Sequence, residues 1–254
     1  AIACTDHGVM YGCVQFYKAA KKAGIKPIIG CEVYVATRTR FDKVNKIDGN
    51  NHLILLCKNE TGYKNLIKMV SAGFVEGFYS KPRVDKQLLE QYHEGLICLS
   101  ACLAGEIPRR LRAGDYDGAK AYALELSGIF GPEHFYLELQ DHGLPEQKLV
   151  NTTLLQMSRE LDIPMVVTND VHYTYADDVK PHDILLCLQT GKKLSDEDRM
   201  RYEGGQYYVK SEEEMKGLFP YAWEAVENTQ RIADRCHVEI EFGVTKLPKF
   251  DVPE

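Results

Sequence analysis

The chain has 254 residues, enough for one large α/β domain or two small ones. It is 44% hydrophobic and 27% charged, and no apolar run approaches the roughly 20 residues that a membrane-spanning helix needs. The formal charge of −6 rules out a global basic footprint, so nucleic acid would have to be met by a local site or by a neighbouring domain.

The eight cysteines, at 4, 13, 31, 57, 98, 102, 187 and 236, lack zinc-ribbon spacing and sit in apolar segments. They read as free, reduced and mostly buried thiols of a cytoplasmic protein. Residue 1 is alanine, Ala1 to Cys4 already reads as the interior of a strand, and no signal or transit peptide is visible. Pro248 to Glu254 reads as a linker. The expectation is therefore a fragment.

In chain order, a strand at Ala1–Cys4 runs into Thr5-Asp6-His7-Gly8, and a helix fits Met10–Ala23 with Gly24 as its stop. Pro27–Ala36 is a β-branched strand interrupted by Glu32. Residues 37–51 carry Arg38, Arg40, Lys43 and Lys46 and read as an exposed loop or hairpin. His52–Lys58 is a buried strand, and a helix runs from Thr61 to about Gly73. The loop Gly77–Arg83 holds two aromatics and two cations. A helix at Asp85–Gln91 precedes a strand at Gly95–Ser100, and two helices follow at Glu106–Ala113 and Tyr116–Phe130. His134–Leu139 is a strand of mixed face, and Leu144–Leu161 is a helix opened by Pro145. Met165–Thr168 is the sixth strand. Beyond it, Lys180–Leu188, Ser211–Phe219 and Tyr221–Cys236 read as helices, with a strand or hairpin at Gly204–Val209. The alternation argues for parallel βα units. One more unit upstream would make seven, suiting a closed barrel. Residues 1–176 are read as the barrel core and 177–254 as a helical and hairpin extension.

Metal-type side chains recur where these strands begin or end: His7, Glu32, His52, Cys102, and Asp170 with His172. In V-V-T-N-D-V-H-Y, residues two apart on an extended chain point the same way, so Asp170 and His172 would converge. Each residue alone has a second reading. Cys102 also fits a small buried hydrophobe, His52 a satisfied core histidine, Glu32 a partner of a lysine, and Asp170 and His172 ordinary loop residues. In a βα barrel, however, all six would collect at one mouth. Asp6 reads as a supporting residue that orients a ligand. His93, His134, His142, His182 and His237 lack this placement and read as surface or structural.

The segments T-D-H-G, G-I-K-P-I-I-G-C-E-V-Y, H-L-I-L-L-C-K-N-E-T-G-Y-K-N-L, E-G-F-Y-S-K-P-R, G-L-I-C-L-S-A-C-L-A-G-E and T-N-D-V-H-Y resemble the PHP (polymerase and histidinol phosphatase) domain. More narrowly they resemble the PHP domain of bacterial DNA polymerase III α subunits, and H-D-I-L-L-C-L-Q-T-G-K and S-E-E-E-M match the same family. The resemblance implies a distorted seven-stranded (β/α) barrel, here lacking its first βα unit. It also implies a cluster of up to three zinc or manganese ions on His7, Glu32, His52, Cys102, Asp170 and His172. An H-x-H pair and a further aspartate normally precede the T-D-H motif and are not in this sequence.

The implied activity is metal-dependent phosphodiester hydrolysis, a 3′-5′ proofreading exonuclease acting on the primer 3′ end, with Asp170, His172 and His7 carrying catalysis. Lys81, Arg83 and the basic loop are the candidate phosphate contacts. The other reading is a non-catalytic module that stabilises the polymerase and docks a separate proofreading subunit. Implied partners are DNA, the palm and thumb domains of the same chain and, through the full polymerase, a sliding clamp, with no membrane. A free-standing small-molecule phosphatase of the same superfamily is a third reading, disfavoured by the polymerase-type motifs. Nucleotide polymerisation is not expected of this chain.

Overall fold

The computed structural model describes residues 1–245 and residue 247, so the expected linker at Pro248–Glu254 lies outside the described residues. Seven strands form one sheet: β1 (Ile2–Cys4), β2 (Pro27–Ala36), β3 (Asn50–Cys57), β4 (Arg83–Val84), β5 (Leu96–Leu99), β6 (Phe135–Leu139) and β7 (Met165–Val167). Nine α-helices occur among the described residues: α1 (Cys13–Lys22), α2 (Glu60–Val75), α3 (Lys86–Tyr92), α4 (Glu106–Arg112), α5 (Tyr116–Phe130), α6 (Pro145–Leu161), α7 (Val179–Thr190), α8 (Glu212–Leu218) and α9 (Trp223–Arg235).

The strand order is β1-β2-β3-β5-β6-β7, with β4 added beside β2. The β1–β2, β5–β6 and β6–β7 pairs are parallel, as the alternation of elements predicts. The fully parallel expectation fails at β3, which runs antiparallel to both β2 and β5. The connection from β2 to β3 is residues 37–49 alone, and a return without a crossover helix suits an antiparallel pair. His7 follows β1 and His172 follows β7, at opposite ends of the sheet path, yet their rings lie 5.7 Å apart. The sheet therefore curls, and no ladder joins β1 to β7 among the described residues. The expected α/β class with a curled, barrel-like sheet is what the chain adopts.

The period-2 alternation of each strand separates two faces. Cys31, Val33, Leu53, Leu55, Cys98, Phe135 and Leu137 face the layer of helices, while Ile28, Ile54, Leu56, Ile97, Leu99, Tyr136 and Val166 fill a second, inner cluster. Ile232 and Cys236, on and just past α9, join that inner cluster. Full burial of an aliphatic side chain of this kind contributes about 1.5–3 kcal/mol. The inner face then changes character along the strands. Ile28 gives way to Glu32, Tyr136 to Glu138 and Gln140, and Val166 to Thr168, while β3, running the other way, carries His52 before Ile54 and Leu56. One end of the curl is apolar and the other is lined with polar groups.

The helices begin and end on local signals. Asn59, Asp85 and Asp115 each accept a backbone N–H in the first turn of α2, α3 and α5. Gly62 in α2 crosses β5's approach so closely that a Cβ would lie 1.8 Å from the Gly95 carbonyl. The strand or hairpin expected at Gly204–Val209 is replaced by a 3₁₀ turn, Glu203–Gly205, and a single bridge from Tyr208 to Tyr173. Gly204 and Gly205 have φ of 84° and 62°, which breaks an extended run.

Candidate metal centre

Glu32 is delivered by β2 to the polar end of the curl. The loop after β1 is zipped along it: Gly8 donates to the Glu32 carbonyl (2.8 Å) and the Glu32 amide donates to the Asp6 carbonyl (3.1 Å). Gly8 has φ +68°, and a Cβ there would meet the Tyr34 ring at 2.7 Å, so glycine lets His7 sit against β2. His52 enters from β3 through the register that pairs it with Tyr34. Cys102 arrives on the turn after β5, where Ala101 (φ 66°) donates its N–H to Glu138 Oε2 at 2.8 Å.

Glu32 bridges two imidazoles, with Oε1 2.6 Å from His52 Nδ1 and Oε2 3.2 Å from His7 Nδ1. One donor atom from each of these three residues falls within 4.8 Å of the others, a spacing that could hold one metal ion. Cys102 Sγ lies 3.6 Å from His52 Nδ1 and 3.8 Å from Glu32 Oε1. His172 Nε2 is 3.4 Å from His7 Nε2. Asp170 Oδ1 is 3.8 Å from His172 Nδ1, which contacts the Asp170 carbonyl at 2.6 Å. That contact is a hydrogen bond when Nδ1 carries the proton, and Nε2 is then the unprotonated nitrogen that faces the cluster. The structure thus clusters the donor atoms of His7, Glu32 and His52, sets Cys102 and His172 against them, and places Asp170 beside His172. The reason given for Asp170 and His172 needs correction: β7 ends at Val167 and Asp170 has φ 43°, so a turn, not an extended chain, aims the two side chains.

Burial pushes the Glu32 carboxyl up, but the His52 hydrogen bond and the nearby imidazoles outweigh it and hold it below its usual value. Asp170 is raised by burial and by the charge of Glu32, against the opposing pull of His172, His7 and His52. Burial, Glu32 and Asp170 together push the Cys102 thiol well up. Two carboxylates and a thiol are therefore gathered with no lysine or arginine paired to Glu32 or Asp170 among the described residues. Such a donor set fits a divalent cation, whose charge favours the anionic forms that burial disfavours.

Three neighbours escaped the sequence reading. Tyr202, which precedes the stretch read as a strand or hairpin, places its hydroxyl 2.9 Å from His172 Nε2. Glu138 is buried beneath the cluster and is pushed up to about 7 by burial first, then by Glu32 and Asp170. Thr168 and Gln140 donate to its Oε1. The apolar–polar alternation of Phe-Tyr-Leu-Glu-Leu-Gln was its signal. His182, read as surface or structural, has its ring 5.8 Å from that of His172. His142 is structural, packed on Tyr207 at 3.8 Å and in contact with the Asn169 carbonyl.

The phosphate contacts need correction. Arg83 is fully buried and donates to the carbonyls of Gly77, Arg40 and Asp42, so it faces no ligand. Its guanidinium is taken up by backbone carbonyls of two loops, the one before β3 and the one after α2. Arg38 pairs with Asp48, and Arg40 with Asp85 and Glu76, so the two arginines of the basic loop are neutralised while Lys43 and Lys46 stand exposed. Lys81 is exposed, with Nζ 5.4 Å from the centre of the Tyr34 ring. Asp6 accepts from the Gly12 N–H at 3.1 Å, bracing the loop that carries His7.

A curled α/β sheet whose polar end gathers a His/Glu/His cluster defines a barrel-like domain with a candidate metal centre. The chain belongs to the PHP domain family, whose model matches residues 1–142. It is 49% identical over 257 residues to the DNA polymerase III subunit alpha of Borreliella burgdorferi, an alignment covering 99% of this chain and 22% of that protein. The Treponema pallidum subunit is 48% identical over 255 residues (100% and 22%), and that of Thermus aquaticus 44% over 263 (100% and 22%). The chain thus spans about a fifth of the length of these relatives. No helix among the described residues is long and apolar enough to cross a membrane.

Proposed function

We propose that this chain serves in DNA replication as the PHP module of a bacterial replicative polymerase, and that its centre hydrolyses phosphodiesters as a 3′-5′ proofreading exonuclease. The observation that carries this reading is the His7, Glu32 and His52 cluster, with Cys102 and His172 at its border and Asp170 beside His172, six donor side chains drawn from five separate segments. The ligands would be His7, Glu32, His52, Cys102, Asp170 and His172, with zinc or manganese as the ion. A bound divalent ion supplies Lewis acidity toward a phosphodiester oxygen and lowers the pKa of a bound water.

The chain's own groups do the rest. Glu32 holds the His7 and His52 rings in register through its two oxygens. The Asp170 carbonyl orients His172, and Tyr202 offers a hydroxyl beside it for a phosphate oxygen or a leaving group. Glu138 stiffens the Cys102 turn through the Ala101 amide. Lys81, at the exposed rim, and the exposed Lys43 and Lys46 are the remaining candidates for backbone phosphate. Asp170→Asn in the full-length protein should abolish 3′-end trimming while leaving the fold intact. Unchanged trimming would refute the nuclease and favour the docking module. That second reading has one observation of its own, the exposed Ile184, Leu185 and Leu188 on α7.

A further inference from the structure

Tyr202 is shared between two places. Its ring lies 4.3 Å from that of His172, and it also lines a cavity of about 350 Å³ whose walls include Lys180, His182, Arg199, Arg201 and Gly204. That volume is at the low end for small-molecule sites. Val179 and Lys180 of α7 form one side; the 3₁₀ turn Ala176–Asp178 runs directly into α7 and its Ala176 carbonyl takes the Val179 N–H, so an anion here is met by side chains. Arg199 is an independent sign of a built site. Only 6% of its side chain is exposed and its terminal nitrogens hold Asp183 at 2.5 and 2.7 Å, yet its buried Nε has no partner. Lys180 and Arg201 stand exposed at the rim, while Asp183 is neutralised by Arg199 and Glu203 is the remaining acid.

We propose that this cavity binds the nucleotide adjoining the scissile phosphodiester. That nucleotide's own phosphate lies on Lys180 and Arg201, and its base lies against the edge of the aromatic cluster that Tyr202 and His182 present to the cavity. The inference rests on reading the neighbouring centre as a phosphodiester hydrolase. Charge-assisted contacts recognise the phosphate and aromatic stacking tolerates any base, so the ligand class is a nucleoside 5′-monophosphate unit of single-stranded nucleic acid.

The test is calorimetric titration of the full-length, EDTA-treated protein with deoxyadenosine 5′-monophosphate, so that a metal at the centre makes no contribution. Saturable binding is expected. It should weaken about tenfold or more in Lys180→Glu/Arg201→Glu and for deoxyadenosine as probe, and stay within a few-fold in Lys180→Arg/Arg201→Lys. No binding, or equal affinity in the charge-reversed protein, overturns the proposal. So does inorganic phosphate binding as tightly as the nucleotide, since the cavity would then be an anion site without nucleotide recognition. Saturable, charge-dependent nucleotide binding by a protein that trims no 3′ ends would leave the cavity standing and refute only the hydrolytic reading.

Discussion

Replacing Arg83 with methionine keeps the apolar stem and removes the guanidinium. Arg83 Nε donates to the Gly77 carbonyl at 3.1 Å, and one terminal nitrogen donates to the Arg40 and Asp42 carbonyls at 3.1 and 2.7 Å, all beneath a surface that leaves the residue 0% exposed. Hydrogen bonds from a charged donor contribute about 1.5–3 kcal/mol each, so the three together come to roughly 4–9 kcal/mol. Removing a buried charge recovers a desolvation cost of several kcal/mol, and orphaned carbonyls take part of that back. The net expectation is a loss of about 3–4 kcal/mol. For a chain of this size, roughly 2–4 °C is lost per kcal/mol, so the melting temperature should fall by about 10 °C. Scanning calorimetry on EDTA-treated protein reads this directly. Lys81→Met, an exposed site, should change stability by no more than about 0.5 kcal/mol. If Arg83→Met melts within about 2 °C of wild type and instead weakens single-stranded DNA binding, the structural role assigned to Arg83 is wrong.

Metal binding should depend on the bridging carboxylate. Dialysed wild type is expected to retain zinc or manganese by elemental analysis, and Glu32→Gln and His52→Ala to retain little; equal contents would sink the assignment. Saturating ion at about 100 times its dissociation constant should add about 2.7 kcal/mol to wild-type stability, reversed by EDTA. Glu138 gives a pH signature in the metal-free protein. Its folded pKa, about 7, is above the ordinary carboxyl value, so the protonated form is favoured in the fold. Stability is then full below about pH 4.5 and declines as pH rises through 7, by about 3 kcal/mol for a fully buried carboxyl. Glu138→Gln should flatten that decline in urea midpoints taken from pH 5 to 8, and parallel profiles would count against it. Gly62→Ala, with its Cβ aimed 1.8 Å from the Gly95 carbonyl, should destabilise by about 2 kcal/mol or more in the same assay.

How much was legible follows from the range of each signal. The span of β2, Pro27–Ala36, and that of α5, Tyr116–Phe130, agree with the sequence reading because β-branched runs and an Asp cap act within a few residues. The six metal-type residues were legible because side chains of that chemistry stand next to apolar runs. Tyr202 was not, since a tyrosine in a polar loop acquires meaning only from what packs against it, and the alternation around Glu138 marked its face of the strand but not its place beside the cluster. Arg83 illustrates the reverse error: a cation in a loop looks available until its burial against carbonyls from residues 40, 42 and 77 is known.

The sequence by itself determined the α/β class, most helix spans and the kinds of donor atom present, since these depend on local periodicity, capping and side-chain chemistry. Only the tertiary structure decided that β3 runs antiparallel, that the sheet curls until His7 meets His172 at 3.4 Å, and which cations remain free. Those depend on register and desolvation between residues as far apart as 7 and 172, where no local pattern carries information.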